Sequence, residues 1–213
     1  GVTPEAMEKA RDHAKLVESI PDEQKPMSPF PPEFDAKWRF FWPIGERPEE
    51  VVNDLPKVIP DGFSQWEGTM DSWGNHMVDA ASTAAEMAAV GMGLAPDTFS
   101  SKMVKGSHLL APTASDLNKY DVGTAFAGFH YDLNFLTVHG KSRFPGLFVW
   151  LRDWTKMVVK VPEGCLLMQA GAMFESMTGG HVLAGFHEVI YTQATKNALI
   201  KVQEETANGK RRS

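Results

Sequence analysis

Two histidines and one aspartate carry the chemistry most visible in this sequence: His130 and Asp132, separated only by Tyr131, and His187 far downstream. Two imidazoles and a carboxylate can occupy one triangular face of an octahedral ferrous ion, leaving the opposite positions open for a co-substrate and O2. In an extended strand, residues i and i+2 point to the same side, so His130 and Asp132 can reach one metal while Tyr131 turns away. His187 must then arrive on a distant strand that the fold lays alongside. His139 and His181 are read as ordinary histidines, because a fourth protein ligand would close the positions that the chemistry needs.

The elements that have to position these groups can be traced along the chain. Residues 4 to 20 read as an amphipathic helix, with Pro4 suited to its first position, Ala14, Leu16 and Val17 on its apolar side, and Pro21 ending it. Between Lys25 and Pro60 lie eight prolines and the cluster Trp38, Phe40, Phe41 and Trp42. That composition predicts an irregular segment held by large rings. A longer helix is expected from about Phe63 to Met92, with an alanine-rich face fit for close packing. Asp97 or Thr98 is expected to cap a short helix after Pro96.

After Gly106 the pattern changes to short apolar stretches separated by Gly, Pro, Asn and Asp: 109–110, 124–129, 135–138, 147–150, 157–161, 165–169 and 182–191. This predicts an antiparallel β core of jelly-roll or barrel type, without intervening helices, behind a helical N-terminal part. The expected organisation is residues 1–105 as a helical and Pro/aromatic-rich region packed on a core formed by 106–213, in one structural unit.

Composition bounds the function. With 213 residues, 43% hydrophobic and 23% charged, the chain is long enough to bury a substantial core and ordinary for a globular protein. Its net charge of −6 argues against general nucleic-acid binding, which normally uses a basic surface. Cys165 is the only cysteine, so an intramolecular disulfide and a multi-cysteine zinc site are excluded. No apolar run approaches the roughly 20 residues needed to cross a bilayer, so no membrane partner is expected and the default location is cytoplasmic. The sequence starts at Gly1 and stops at Ser213, and either trimming at both ends or an interruption by a missing stretch is expected.

Several segments, taken in order, give the chain a likeness. Ile20-Pro21-Asp22-Glu23-Gln24-Lys25 follows the first helix. Phe129-His130-Tyr131-Asp132 is trailed by Leu136-Thr137, and Gly146-Leu147-Phe148-Val149 comes next. Then follow Val161-Pro162-Glu163-Gly164, Gln169-Ala170-Gly171-Ala172-Met173, Met177-Thr178-Gly179-Gly180 and Phe186-His187-Glu188-Val189. Together they resemble the Fe(II)- and 2-oxoglutarate-dependent dioxygenases of the isopenicillin-N-synthase-like family.

The resemblance implies a mainly β fold with N-terminal helices and a distorted double-stranded β-helix (jelly roll) core. It implies Fe(II) held by His130, Asp132 and His187, 2-oxoglutarate as co-substrate, and oxidation of a small organic molecule with release of succinate and CO2. Three positions depart from the family pattern. Leu109-Leu110 replaces a tyrosine often used on the co-substrate, Glu188 replaces the arginine that usually follows the distal histidine, and the family's Arg-x-Ser is missing from its usual place.

Arg211-Arg212-Ser213 does read Arg-x-Ser, at the end of the chain and after a charged stretch from Thr195 to Lys210. Arg211 could grip a distal carboxylate bidentately, with Ser213 pointing the same way along a strand. Lys196 is the fallback anchor, as a point charge. Two other readings stay open: an Fe(II) oxidase of the same fold that dispenses with 2-oxoglutarate, and a ligand-binding scaffold without catalysis. Met168, Met173 and Met177 could line an apolar substrate pocket or simply fill core.

Overall fold

The computed structural model describes residues 4–29, 34–47 and 57–208, with the side chains of the first helix described from Arg11. Ten strands and five α-helices occur among these residues, although the long helices hold more of the chain than the short strands. Two compact units form. One combines residues 1–37 with 115–213, and the other is 38–114. The first segment packs with the late strands: Leu16, Val17 and Ile20 share a core with Phe129 and Trp150.

In the unit 38–114, β1 (Trp38–Arg39) pairs with β4 (Thr113–Ala114), and β2 (Trp42–Pro43) pairs with β3 (Leu109–Leu110), both antiparallel. The aromatic segment thus forms two short ladders in place of the irregular loop its prolines suggested. Helix α2 (Trp66–Gly91) buries Met70, Gly74, Ala81, Ala85 and Ala89, a stripe at helical spacing. Small residues there allow close approach, and a Cβ at Gly74 would overlap the Ile44 side chain. Trp42 is fully buried, and its indole N–H donates to Asp71 at 2.7 Å. Helix α3 (Asp97–Ser100) has Pro96 at its N-cap, and the Thr98 hydroxyl donates back to the Ala95 carbonyl, so neither expected cap forms.

The second unit holds α1 (Pro4–Ser19), a four-stranded antiparallel sheet and a separate two-stranded ladder. The sheet runs in the order β5 (Ala125–His130), β10 (His187–Ile190), β7 (Leu147–Trp150), β8 (Lys156–Val158). The ladder joins β6 (Leu136–His139) to β9 (Leu167–Ala170). Behind the sheet, Ile20, Phe129 and Trp150 form a buried cluster to which Leu16, Val17, Phe148, Trp154 and Phe186 add. Trp150 keeps its polar end satisfied by donating to the Gln24 carbonyl at 2.7 Å. A second cluster joins Ala36, Phe126 and Tyr191.

Two elements depart from the sequence reading. Helix α4 (Ala172–Met177) interrupts the strands, and the charged stretch after Thr195 is part of helix α5 (Gln193–Ala207). The start of α5 is fixed by a reciprocal cap, in which the Thr195 N–H donates to the Thr192 hydroxyl and the Thr192 N–H to the Thr195 hydroxyl.

Candidate metal centre

Strand pairing brings the distant histidine to the His-x-Asp segment. His187 at the start of β10 lies opposite His130 at the end of β5, with Val149 of β7 across its other side. Their rings stand 4.2 Å apart between centroids. Asp132 lies just beyond the end of β5 rather than within it, and its Oδ1 comes within 3.7 Å of His130 Nε2. One donor atom each from His130, Asp132 and His187 falls within 4.8 Å of the others, a spacing that fits a single ion held by two nitrogens and one oxygen.

The ring orientations are fixed from behind. His130 Nδ1 sits 2.6 Å from the Gly128 carbonyl, which can only accept, so the proton is on Nδ1 and Nε2 is left as a lone-pair donor. His187 Nδ1 sits 3.1 Å from the Gly185 carbonyl. The side-chain amide of Gln169 lies against the same Nδ1 at 2.6 Å and donates from Nε2 to the Gly185 carbonyl at 2.6 Å. A Cβ at Gly185 would press on that amide, so the approach depends on glycine there. The Thr137 hydroxyl donates to Asp132 Oδ2 at 2.6 Å.

Burial keeps His187 neutral. Burial, and then the neighbouring His130, push His187 from an ordinary 6.5 down to about 4. At neutral pH the ring is therefore an imidazole, with a nitrogen lone pair, and not an imidazolium. His13 of α1 stands edge-on to Phe129, and burial followed by His130 holds it below its ordinary value as well.

Phe129, Tyr131 and Phe186, which alternate with the three donors, gather in one aromatic group. Phe186 stacks on Phe129 at 4.8 Å and meets Tyr131 edge-on at 4.9 Å, so one aromatic group braces both ligand-bearing segments. Glu188 is fully buried. It accepts from the backbone N–H groups of Met27 and Ser28, at 3.0 Å each, and from Lys156 Nζ at 2.8 Å. Where the family pattern has an arginine, this chain has the opposite charge, matched by a lysine on β8.

His139 stays outside the three-residue cluster, and its Nε2 lies 3.2 Å from Gln169 Oε1. Lys196 donates to Asp121 at 2.7 Å on an exposed surface. Met168, Met173 and Met177 are exposed rather than core. Arg211 and Ser213 lie outside the described residues. Sequence reasoning did not single out His13 or give Gln169 a role. A glutamine inside the apolar run 165–169 was the one available signal of a buried polar partner.

No family model matches the sequence, and no curated protein matches it. Solved structures do match in shape. A full-length Neurospora crassa protein in complex with alpha-KG aligns at a TM-score of 0.62 and 17% identity, over 90% of this chain and 67% of that one. A 2OG-Fe(II) oxygenase family protein from Caulobacter crescentus aligns at a TM-score of 0.63 and 20% identity, over 88% of this chain and 67% of that one. The chain has the fold of the 2OG-Fe(II) oxygenases. JOX2 in complex with 2OG, Fe and JA gives 0.60 and 16%, over 90% and 61%. The chain thus spans about two thirds of the length of these oxygenases. Among the described residues, no helix is long and apolar enough to cross a membrane.

Proposed function

We propose that this chain binds Fe(II) through His130, Asp132 and His187 and uses 2-oxoglutarate and O2 to oxidise a small organic substrate, releasing succinate and CO2. The observation that carries the reading is the donor set: two imidazoles and one carboxylate gathered within 4.8 Å on a pair of adjacent strands and the loop that follows one of them. In this reading the four-stranded sheet and the β6–β9 ladder are the two layers of a distorted double-stranded β-helix.

The bound iron would supply activation of O2 against a C–H bond. The protein's share is structural and electrostatic. His187 presents a neutral nitrogen, His130 turns its Nε2 and Asp132 its Oδ1 toward the same point, and the aromatic group behind them keeps the three in register. Among the described residues three donors are gathered, a set that would leave positions for the co-substrate.

Arg211 and Ser213 are proposed as the pair that holds the far carboxylate of 2-oxoglutarate, on the bidentate chemistry of a guanidinium. A small-molecule substrate is supported by the likeness to the Neurospora crassa protein, which was crystallised with thymine and with 5-formyluracil. The test is succinate release from 2-oxoglutarate under air with Fe(II), compared between the wild type and His187→Ala. Succinate that depends on His187 supports the reading. Oxygen consumption without succinate would favour direct oxidation by the same metal site, and neither would leave a binding scaffold.

A further inference from the structure

Thr137 and Gln169 are direct cross-strand partners on the β6–β9 ladder, so their side chains leave the same face. Each touches a different member of the triad: the Thr137 hydroxyl touches Asp132, and the Gln169 amide touches His187. The two ligands themselves come from the other sheet and its adjoining loop. Resting on the iron reading above, we propose that Thr137 and Gln169 are positioning residues, a paired polar clamp by which the two-stranded ladder fixes two ligands carried by the four-stranded sheet.

Each bond does a definite job. Asp132 has two oxygens: Oδ2 is taken at 2.6 Å by Thr137, while Oδ1 is the one that lies toward His130 Nε2. A short bond from a hydroxyl to Oδ2 turns Oδ1 toward the other two donors, so a bound metal would be met through Oδ1 and a second coordination position would stay open. Asn134 Nδ2 donates to the Thr137 oxygen at 2.9 Å, and of the two acceptors that the hydroxyl reaches, Asp132 Oδ2 at 2.6 Å is nearer than Asn134 Oδ1 at 3.2 Å and carries the charge. The loop that carries Asp132 is tied to the start of α4 as well, because the Ala172 N–H donates to the Asp132 carbonyl at 2.8 Å.

Gln169 is buried and fully engaged: it meets the Gly185 carbonyl, His187 Nδ1 and His139 Nε2. A buried amide with three partners is rigid, and it confines the His187 ring from its Nδ1 edge; with Nε2 left for a metal, the one Nδ1 proton goes to the Gly185 carbonyl, so the amide acts on the ring by contact and not by a hydrogen bond. An apolar side chain at either position would leave the ligand present but free to rotate.

The test is Fe(II) affinity of the metal-free protein, measured without oxygen by competition with a coloured chelator. The proteins compared are the wild type, Thr137→Val, Thr137→Ser and Gln169→Leu, with thermal unfolding of each as a check on the fold. Thr137→Val and Gln169→Leu should each weaken iron binding by about 10- to 100-fold, the usual cost of losing an outer hydrogen-bond partner, while Thr137→Ser stays within about threefold of wild type.

Substituting Co(II) gives a second readout. Thr137→Val should alter the visible bands of the cobalt protein as the second Asp132 oxygen is released, and Thr137→Ser should restore them. If one variant does not fold, the other decides. Wild-type affinity and unchanged cobalt bands in a folded Thr137→Val, or wild-type affinity in a folded Gln169→Leu, overturn the clamp alone. A wild-type protein that binds no Fe(II) overturns both the clamp and the iron reading.

Discussion

His187 and Glu188 are consecutive, both buried, and point to opposite faces of β10, yet they solve the problem of a buried titratable group in opposite ways. His187 is kept neutral by burial and meets neutral partners, which is what a metal ligand requires. Glu188 accepts from two backbone N–H groups and pairs with the ammonium of Lys156, which itself lies over the rings of Phe148 and Trp150. One face of the strand is arranged for chemistry. The other anchors the segment around Met27 and Ser28 to the core.

The sharpest way to break that contrast is to exchange the demands of the two faces. Glu188→Ala leaves Lys156 buried without its partner and two N–H groups unanswered, and should cost about 3–5 kcal/mol in urea unfolding. Glu188→Leu combined with Lys156→Met should cost less than Glu188→Ala alone, since the unpaired charge is then gone. His187→Ala should do the reverse. Its iron affinity should fall beyond the about 100-fold expected for an outer partner, while the protein still unfolds cooperatively.

A smaller effect is expected from pH on the metal-free protein. His187 is near 4 folded and near 6.5 unfolded, so the unfolded chain holds the extra proton between those values. The stability that follows from keeping the ring neutral is fully present above about pH 6.5 and is lost as pH falls toward 4. Denaturation curves of the wild type should weaken across this range more than those of His187→Gln. Smallest of all, Lys196→Ala should change neither stability nor iron affinity measurably, because the Lys196–Asp121 pair is exposed to solvent.

The three donors could be named as candidates from residue type alone, and strand pairing does gather them within 4.8 Å. His-x-Asp and a distal histidine on an apolar stretch name a donor set without any fold. The two long helices were legible too: expected at 4–20 and 63–92, they run Pro4–Ser19 and Trp66–Gly91, because alanine and methionine recur at helical spacing.

What escaped has physical reasons. Asp132 sits past the strand end, where the i, i+2 rule no longer governs direction, and a hydrogen bond from Thr137 aims it instead. Helix α5 hid because only Thr195 is fully buried along it, and its cap uses Thr195 where a glutamate would have advertised the motif. Gln169 and Glu188 act through partners distant in sequence, and no local pattern encodes those contacts.

The most direct measurement is an anaerobic titration of the metal-free protein with Fe(II) and then 2-oxoglutarate, following the weak visible charge-transfer band of a keto acid chelated to ferrous iron. The account predicts a band that appears only when both are present and is lost in His187→Ala. Iron that binds at the site while 2-oxoglutarate produces no band would contradict it.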